Sequence, residues 1–295
     1  MLQLLCLLVT LVAVASPPVA AEERPLRLVT LNLLHGGPWS SFTGDDQQLE
    51  ARLGLIVPSL RALEPDIVAL QESPVTRRRG DVAARLAEAL GLSHVHARAT
   101  ERLVPFRLLG RLIVGVLGFV EGPAVLSRFP IVASAIHDLP RCRRWLDPRV
   151  ALQVDVRTAA GDLAVFSTHT SRDDCQTRRV AELAAARDVP AVVMGDLNTP
   201  ETNLEVFREH GLVDCFRAVR PDVPGLTVWQ RIDAPAPTVQ RRVDYVFARD
   251  GRAVRARAVS ARIVLDAPER REDGRVLWPS DHYGLLIELR LIRRA

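Results

Sequence analysis

The stretch AVVMGDLNTP, residues 191–200, opens as an apolar run and closes on a carboxylate and a carboxamide. Four apolar residues ending at a glycine read as a strand buried on both faces. Side chains alternate along a strand, so Asp196 and Asn198 are expected to face the same way. An ionised carboxylate ending a buried strand needs a cation, a hydrogen-bond donor or water. Thr199 and Pro200 read as a helix start, with Gly211 at that helix's end.

Working outward, other strand-like runs end in the same manner. They place Asn32 in TLNLL, Glu72 in LQES, His169 in STHTS, Asp244 in RVDYVF and Asp281-His282 in PSDHYG. Taken singly, each has an ordinary reading: a turn asparagine, a solvated carboxylate, a satisfied histidine or a surface ion pair. Brought together, they would form an oxygen-rich pocket suited to a hard cation such as Mg²⁺, with Mn²⁺ as the alternative. Zinc is disfavoured, because no Cys/His cluster has ligand spacing.

Between these points, short apolar runs alternate with amphipathic segments. LRLVTLNLL and DIVALQE read as strands. A helix with Leu49, Leu53, Ile56, Leu60 and Leu63 on one face contains Pro58. A second helix starts at an Asp81 cap and stops at Gly91. A hairpin is expected around Ala160-Gly161, and a further helix over 176–187. Residues 221–237 are proline-rich and read as a long surface loop. The interleaving predicts one mixed α/β domain over 22–295.

The 39 basic residues are all arginine, against 35 acidic ones, and the net charge is +4. This suits an anionic substrate but selects none. Residues 1–21 are uncharged and apolar, broken by Pro17-Pro18, and read as a secretory leader cleaved after Ala21. Secretion or a periplasmic location is therefore expected, with an uncleaved membrane anchor as the alternative. Export would permit a disulfide. Cys215 sits in a core-like run, whereas Cys142 and Cys175 lie in polar segments, so these two are expected to pair. Closing that loop would contribute about 3–4 kcal/mol.

The ordered motifs resemble the endonuclease/exonuclease/phosphatase superfamily, which includes deoxyribonuclease I and bacterial sphingomyelinases. The matching pieces are Asn32, Gln71-Glu72, GPAVLSRFPI at 122–131, STH at 167–169, GDLN at 195–198, DYVF at 244–247 and SDH at 280–282. The resemblance implies a four-layer α/β sandwich, two stacked mixed β-sheets flanked by helices, with the active site at one edge. It implies metal-dependent phosphoester hydrolysis. Glu72 would be the principal metal ligand, helped by Asn32 and Asp281. Asp196 would position or deprotonate water, and Asn198 would bond the phosphoryl group. Asp244 would orient His282, which acts on the water or on the transition state. His169 would assist the leaving group or a phosphate oxygen. The chain departs from the family at Glu121, where a phosphate-contacting tyrosine is absent; Glu121 either pairs with His169 instead, as a carboxylate does in the deoxyribonuclease branch, or is an exposed loop residue.

The expected substrate is a phosphodiester. Nucleic acid leads, since Arg77-Arg78-Arg79 and Arg141, Arg143 and Arg144 offer phosphate contacts. A lipid headgroup, hydrolysed in the manner of a sphingomyelinase or phosphoinositide phosphatase, is the alternative. A catalytically weak binding or toxin-like module is disfavoured, because every principal polar position is filled. The apolar insert 102–120 reads first as a helix packed on the protein's own core. The second reading is peripheral membrane contact, with arginines reaching the headgroups. A monomer is expected.

Overall fold

The computed structural model describes residues 24–35, 47–102, 104, 107–142, 148–172 and 174–294. The leader expected over 1–21 and the pair Arg143-Arg144 lie outside the described residues. In chain order the strands are β1 Leu26–Asn32, β2 Ile67–Thr76, β3 Gly80–Asp81, β4 Ser93–His96, β5 Phe119–Ser127, β6 Ile131–Asp138, β7 Val150–Thr158 and β8 Gly161–His169. They continue as β9 Ala191–Asp196, β10 Val213–Asp214, β11 Asp244–Arg249, β12 Val254–Val264, β13 Glu269–Arg270, β14 Val276–Leu277 and β15 Gly284–Arg293. The helices are α1 Leu49–Leu63, α2 Val82–Leu90, α3 Arg107–Leu117, α4 Asp174–Ala185, α5 Glu205–Glu209 and α6 Cys215–Val219.

Two large sheets result. One runs β12-β15-β1-β2-β5-β4, with β3 paired to β2; the other runs β10-β11-β9-β8-β7-β6. Each sheet has one parallel pair, β1–β2 and β8–β9, and each pair is bridged by a helix, α1 and α4 respectively. Parallel neighbours need such crossovers, and the helices then cover the outer faces. Successive residues of one strand accordingly bury on opposite sides. Leu28, Ile67, Ala69, Val192 and Met194 meet between the sheets. Val29, Leu31, Val68 and Leu70 pack on α1 and α2. Val193 and Phe166 pack on the α4 side with Val180 and Ala184. The layers are helix, sheet, sheet, helix, as the motifs implied.

Local signals explain most boundaries. Asp81 caps α2 by accepting from the Ala84 amide at 3.1 Å, and Gly91 ends it with φ +67°. That cap contributes about 1 kcal/mol. Gly161 turns the β7–β8 hairpin. Gly195 has a second role: a Cβ there would strike the carbonyl oxygen of Thr168 on β8. Cys142 and Cys175 form a disulfide with Cα atoms 6.7 Å apart. It ties the segment after β6 to the first turn of α4. Cys215 is free and buried.

Three expectations need correction. The helix expected from Pro200 to Gly211 is instead a short turn, Glu201–Asn203, followed by α5. Thr199 does not cap it; its carbonyl accepts from the buried Tyr245 hydroxyl at 3.0 Å. The proline-rich loop is not only surface. Thr227, Val228, Gln230 and Ala234 are buried, and the Gln230 amide donates to the Asp281 carbonyl at 2.8 Å. The insert 102–120 does not pack Leu108, Leu109 and Leu112 on the core. Leu108 is 82% exposed and Leu112 64%. Gly110 takes the inward position, because a Cβ on it would collide with the Glu101 carbonyl. Periodicity shows that a helix has faces, but not which face the protein covers.

Candidate active site

Backbone register assembles the site. In the second sheet, His169 on β8 pairs with Asp196 on β9, and Asp196 pairs with Asp244 on β11. Three adjacent strands therefore end with these residues in one row. The first sheet supplies Asn32 at the end of β1, beside Gln71 on β2. Asn32 Nδ2 donates to Glu72 Oε1 in its own sheet and, across the gap between sheets, to Asp196 Oδ2, both at 3.2 Å. Behind it, Gln71 Nε2 donates to Ser167 Oγ at 3.3 Å, a second strut between sheets.

Glu72 reaches the site through a bulge. Between Leu70↔Ala124 and Ser73↔Gly122, β2 places two residues against the single Pro123 of β5. Pro123 has no amide to offer a ladder, so the irregularity falls where no bond is lost from it. Glu72 sits there with φ +50°, a conformation unfavourable for a non-glycine residue. Its carboxylate points at His35 Nε2, 3.4 Å away, and at His169 Nδ1, 3.9 Å away. Burial alone would raise its pKa. The His35 ring beside it, with hydrogen bonds from the Asn32 side chain and the His35 amide, outweighs burial and holds the carboxyl below its ordinary value.

Asn198 meets Asp196 for a reason other than the expected one. Strand β9 ends at Asp196, and Asn198 follows with φ +51°. The turn folds it back, so its amide N–H donates to Asp196 Oδ1 at 2.8 Å. Its side-chain Nδ2 donates to the Thr170 carbonyl at 3.0 Å and meets His169 Nε2 at 2.9 Å. Nε2 of His169 is therefore the acceptor, and its proton lies on Nδ1. Burial foremost, with Arg149 nearby, pushes the His169 pKa well down, consistent with a neutral ring. Its Nδ1 is buried without a hydrogen-bond partner and faces the Glu72 side.

His282 is the opposite case. Its Nδ1 lies 2.9 Å from Asp244 Oδ2, and its Nε2 lies 3.7 Å from Asp196 Oδ2. Burial would lower its pKa, but Asp244 and Asp196 hold it up to about 10. Asp196 is 1% exposed, and burial first, then Asp244, raise it to about 7 against the pull of His282. Ser280 Oγ donates to the Asn32 carbonyl at 2.6 Å, which fixes the segment carrying Asp281 and His282 beside β1. Burial, and the charge of Glu72, raise the Asp281 pKa.

All eight principal residues expected from sequence thus converge: Asn32, Glu72, His169, Asp196, Asn198, Asp244, Asp281 and His282. Glu121 does not join as expected. Among the described residues, the carboxylates facing His169 are Glu72 and Asp196. Glu121 instead lies opposite Pro74, with its amide held by Thr100 Oγ1 at 2.8 Å.

Several participants escaped the sequence reading. Arg52 is fully buried and donates to the carbonyls of Leu34, at 2.6 Å, and Pro279, at 3.2 Å, tying the end of β1 to the SDH segment. His35 braces Glu72. Trp229 lies at the rim, half-exposed, with the Arg241 guanidinium 4.3 Å and the Arg172 guanidinium 5.7 Å from its ring centre. Its neighbour Val228 bridges to His282.

The residues fit a divalent cation. Asp196, Asp244 and His282 place ligand atoms within 4.8 Å of one another. Asp244 Oδ2 is already engaged by His282 Nδ1, so that pair reads as hydrogen-bonded support. Glu72, held ionised, and the oxygens of Asn32 and Asp281 offer the hard donor set. The orphaned Nδ1 of His169 faces the same place, as a group awaiting an anionic partner does.

Two sheets meeting over a row of carboxylates, amides and histidines define a hydrolytic site of the phosphoesterase kind. Residues 29–282 match the model of the endonuclease/exonuclease/phosphatase family, and the chain belongs to that family. Its members are metal-dependent phosphoesterases. An endonuclease/exonuclease/phosphatase from Beutenbergia cavernae is similar at 26% identity, covering 91% of this chain and 72% of that one, with a TM-score of 0.61. The mannosyl-6-phosphatase Bt3783 of Bacteroides thetaiotaomicron matches at 20% identity over 90% and 99% of the two chains, with a TM-score of 0.65. TDP2 of D. rerio, solved with a single-strand DNA product, matches at 15% over 91% and 100%, with a TM-score of 0.64. The last two show the shared fold. No curated protein sequence matches the chain.

Proposed function

We propose that this protein is an exported, divalent-metal-dependent phosphodiesterase, with residues 22–295 as one catalytic domain. The observation that carries the reading is the convergence of Asn32, Glu72 and Asp196 across the two sheets, with the Asp244–His282 pair beside them. A cation such as Mg²⁺, held by Glu72, Asn32 and Asp281, would supply charge neutralisation on the phosphate. Asp196, buried and with a pKa near neutrality, is suited to take a proton from the attacking water. His282, held as an imidazolium by Asp244, donates Nε2–H toward the charge that develops on phosphorus. His169 donates through Nδ1 to a phosphate or leaving oxygen, while Asn198 holds its other nitrogen. Asn198 therefore acts on the phosphate through His169, with both N–H groups of its side chain already spent.

For substrate, the arrangement favours a phosphodiester at a lipid headgroup. The arginines invoked for nucleic acid are partly committed inside the protein. Arg77 donates to the carbonyls of Gly115, at 2.6 Å, and Val116, and Arg79 pairs with Glu50 at 3.0 Å. The apolar helix α3 instead leads, two residues on, to Phe119, which meets His35 beside Glu72. Nucleic acid is the second reading, favoured by Trp229 between Arg172 and Arg241, an aromatic with flanking cations next to His282. A panel of plasmid DNA, RNA, sphingomyelin, phosphoinositides and a chromogenic phosphodiester, with Mg²⁺ and with chelator, tests both. The account expects Mg²⁺-dependent turnover of the lipids to exceed that of nucleic acids. The reverse order would select the second reading, and no turnover of any phosphodiester would reject the phosphodiesterase function itself.

A further inference from the structure

Helix α3 is packed the wrong way round for an ordinary surface helix. Gly110 and Val114 face the protein, while Leu108, Leu112 and Val116 are 82%, 64% and 64% exposed. These three recur every four residues and so form one line along the helix, with Leu109, 45% exposed, beside it. A surface helix of a soluble protein buries its leucines and exposes polar residues.

The chain connects the far end of this helix to the active site. Arg77 binds the last carbonyls of α3. Two residues beyond the helix, Phe119 meets the His35 ring edge-on, with centres 5.2 Å apart, and His35 touches Glu72. Over the helix and its approach four arginines, Arg98, Arg102, Arg107 and Arg111, meet two carboxylates: Glu101 is shared by Arg98 and Arg111, and Asp138 pairs with Arg102. Arg111 is 68% exposed, 3.4 Å from Glu101. An apolar line flanked by arginines matches a helix lying in a lipid interface, its cations at anionic headgroups. Spanning is excluded for α3, since no described helix is long and apolar enough to cross a membrane. A second copy of the chain is a poorer occupant. Three leucines and a valine fall well short of the ~800 Å² per partner of a standard protein interface.

We propose that α3 docks the protein on an anionic lipid surface, with the line from Leu108 to Val116 entering the acyl boundary and the site facing the headgroups. The proposal deepens the lipid reading, but it is measured by binding alone, so its failure and a failure of catalysis are separate results.

A fluorophore sensitive to its surroundings reports this locally. It is attached through Leu112→Cys in the full chain carrying Cys6→Ser; Cys215 is buried and Cys142 and Cys175 are paired, so labelling is confined to position 112. Val259→Cys, on β12, is the control. Vesicles of phosphatidylcholine containing phosphatidylglycerol should shift the emission at 112 to the blue, and nitroxide-bearing acyl chains should quench it. Position 259 should not respond. Leu108→Ser with Val116→Ser should weaken the apparent partition by at least ~10-fold, and Arg111→Glu should lessen the preference for anionic vesicles. Three results would overturn the proposal. One is an emission at 112 that ignores lipid. Another is an emission already blue in buffer, which would mean cover by the chain's own segment 36–46, where Trp39 and Phe42 lie. The third is a dimer in sedimentation that the serine variants dissolve.

Discussion

Asp196 and Asp244 are 1% and 0% exposed at the floor of the site, and each lies within hydrogen-bonding or ion-pair distance of a histidine. On the rim, Leu108 is 82% exposed, with no polar group of its own to satisfy. The floor is fixed by strand register and by donors that cross between two sheets. The rim is fixed by what the helix interior refuses, a side chain larger than hydrogen at Gly110. Chemistry that tolerates little movement sits on the first kind of support, and contact with a variable substrate surface sits on the second.

The largest expected effect belongs to the floor. Asp196→Ala or His282→Ala, with near-ultraviolet dichroism unchanged, should cut phosphodiester turnover by ~10³-fold or more. A variant that keeps full turnover would lose the role given to it. Removing both half-cystines, Cys142→Ser with Cys175→Ser, should cost about 3–4 kcal/mol in denaturant unfolding. An unchanged midpoint would mean that the loop is held by other contacts.

Arg52 sharpens the comparison, because it is charged yet belongs wholly to the floor. Arg52→Met should leave the Leu34 and Pro279 carbonyls without their donor and cost about 2–4 kcal/mol. Lower turnover with an unaltered unfolding midpoint would show that Arg52 only positions the SDH segment. His282 tests the electrostatics. In the metal-free protein its raised pKa keeps it protonated through neutral pH. The stability it brings is full below its ordinary value of 6.5 and is lost as pH rises through about 10. Its ring protons in NMR should titrate near that upper value, and near the ordinary one in Asp244→Asn. A wild-type midpoint already at the ordinary value would remove the imidazolium role. The smallest effect separates the two helices. Leu86→Ala on α2, where the side chain is buried, should cost ~2–4 kcal/mol. Leu112→Ala on α3 should stay within ~0.5 kcal/mol. Equal losses would mean that α3 is covered in solution.

The same division decides what was legible in sequence. Asp196 and His169 end apolar runs and Asp244 opens one on the antiparallel neighbour, so the row could be read from pattern and from family motifs. Glu72 and Asn198 can be picked out from the motifs, but sequence pattern does not carry their geometry. Both rely on left-handed backbone, one at a bulge and one in a turn, and alternation describes neither. No sequence signal marks Arg52, since periodicity does not reveal which carbonyls a cation will find. The outward face of α3 and the placing of Trp229 depend on contacts distant in sequence, and no local signal carries those.

The central claim is that Glu72 holds a catalytic divalent ion at this floor. Turnover of a chromogenic phosphodiester by metal-stripped protein, with and without added Mg²⁺, tests it most directly when wild type and Glu72→Gln are run side by side. The account expects Mg²⁺ to restore the wild type and to leave the variant at least ~10³-fold slower. Turnover that survives chelation, or a variant restored as fully as the wild type, would contradict it.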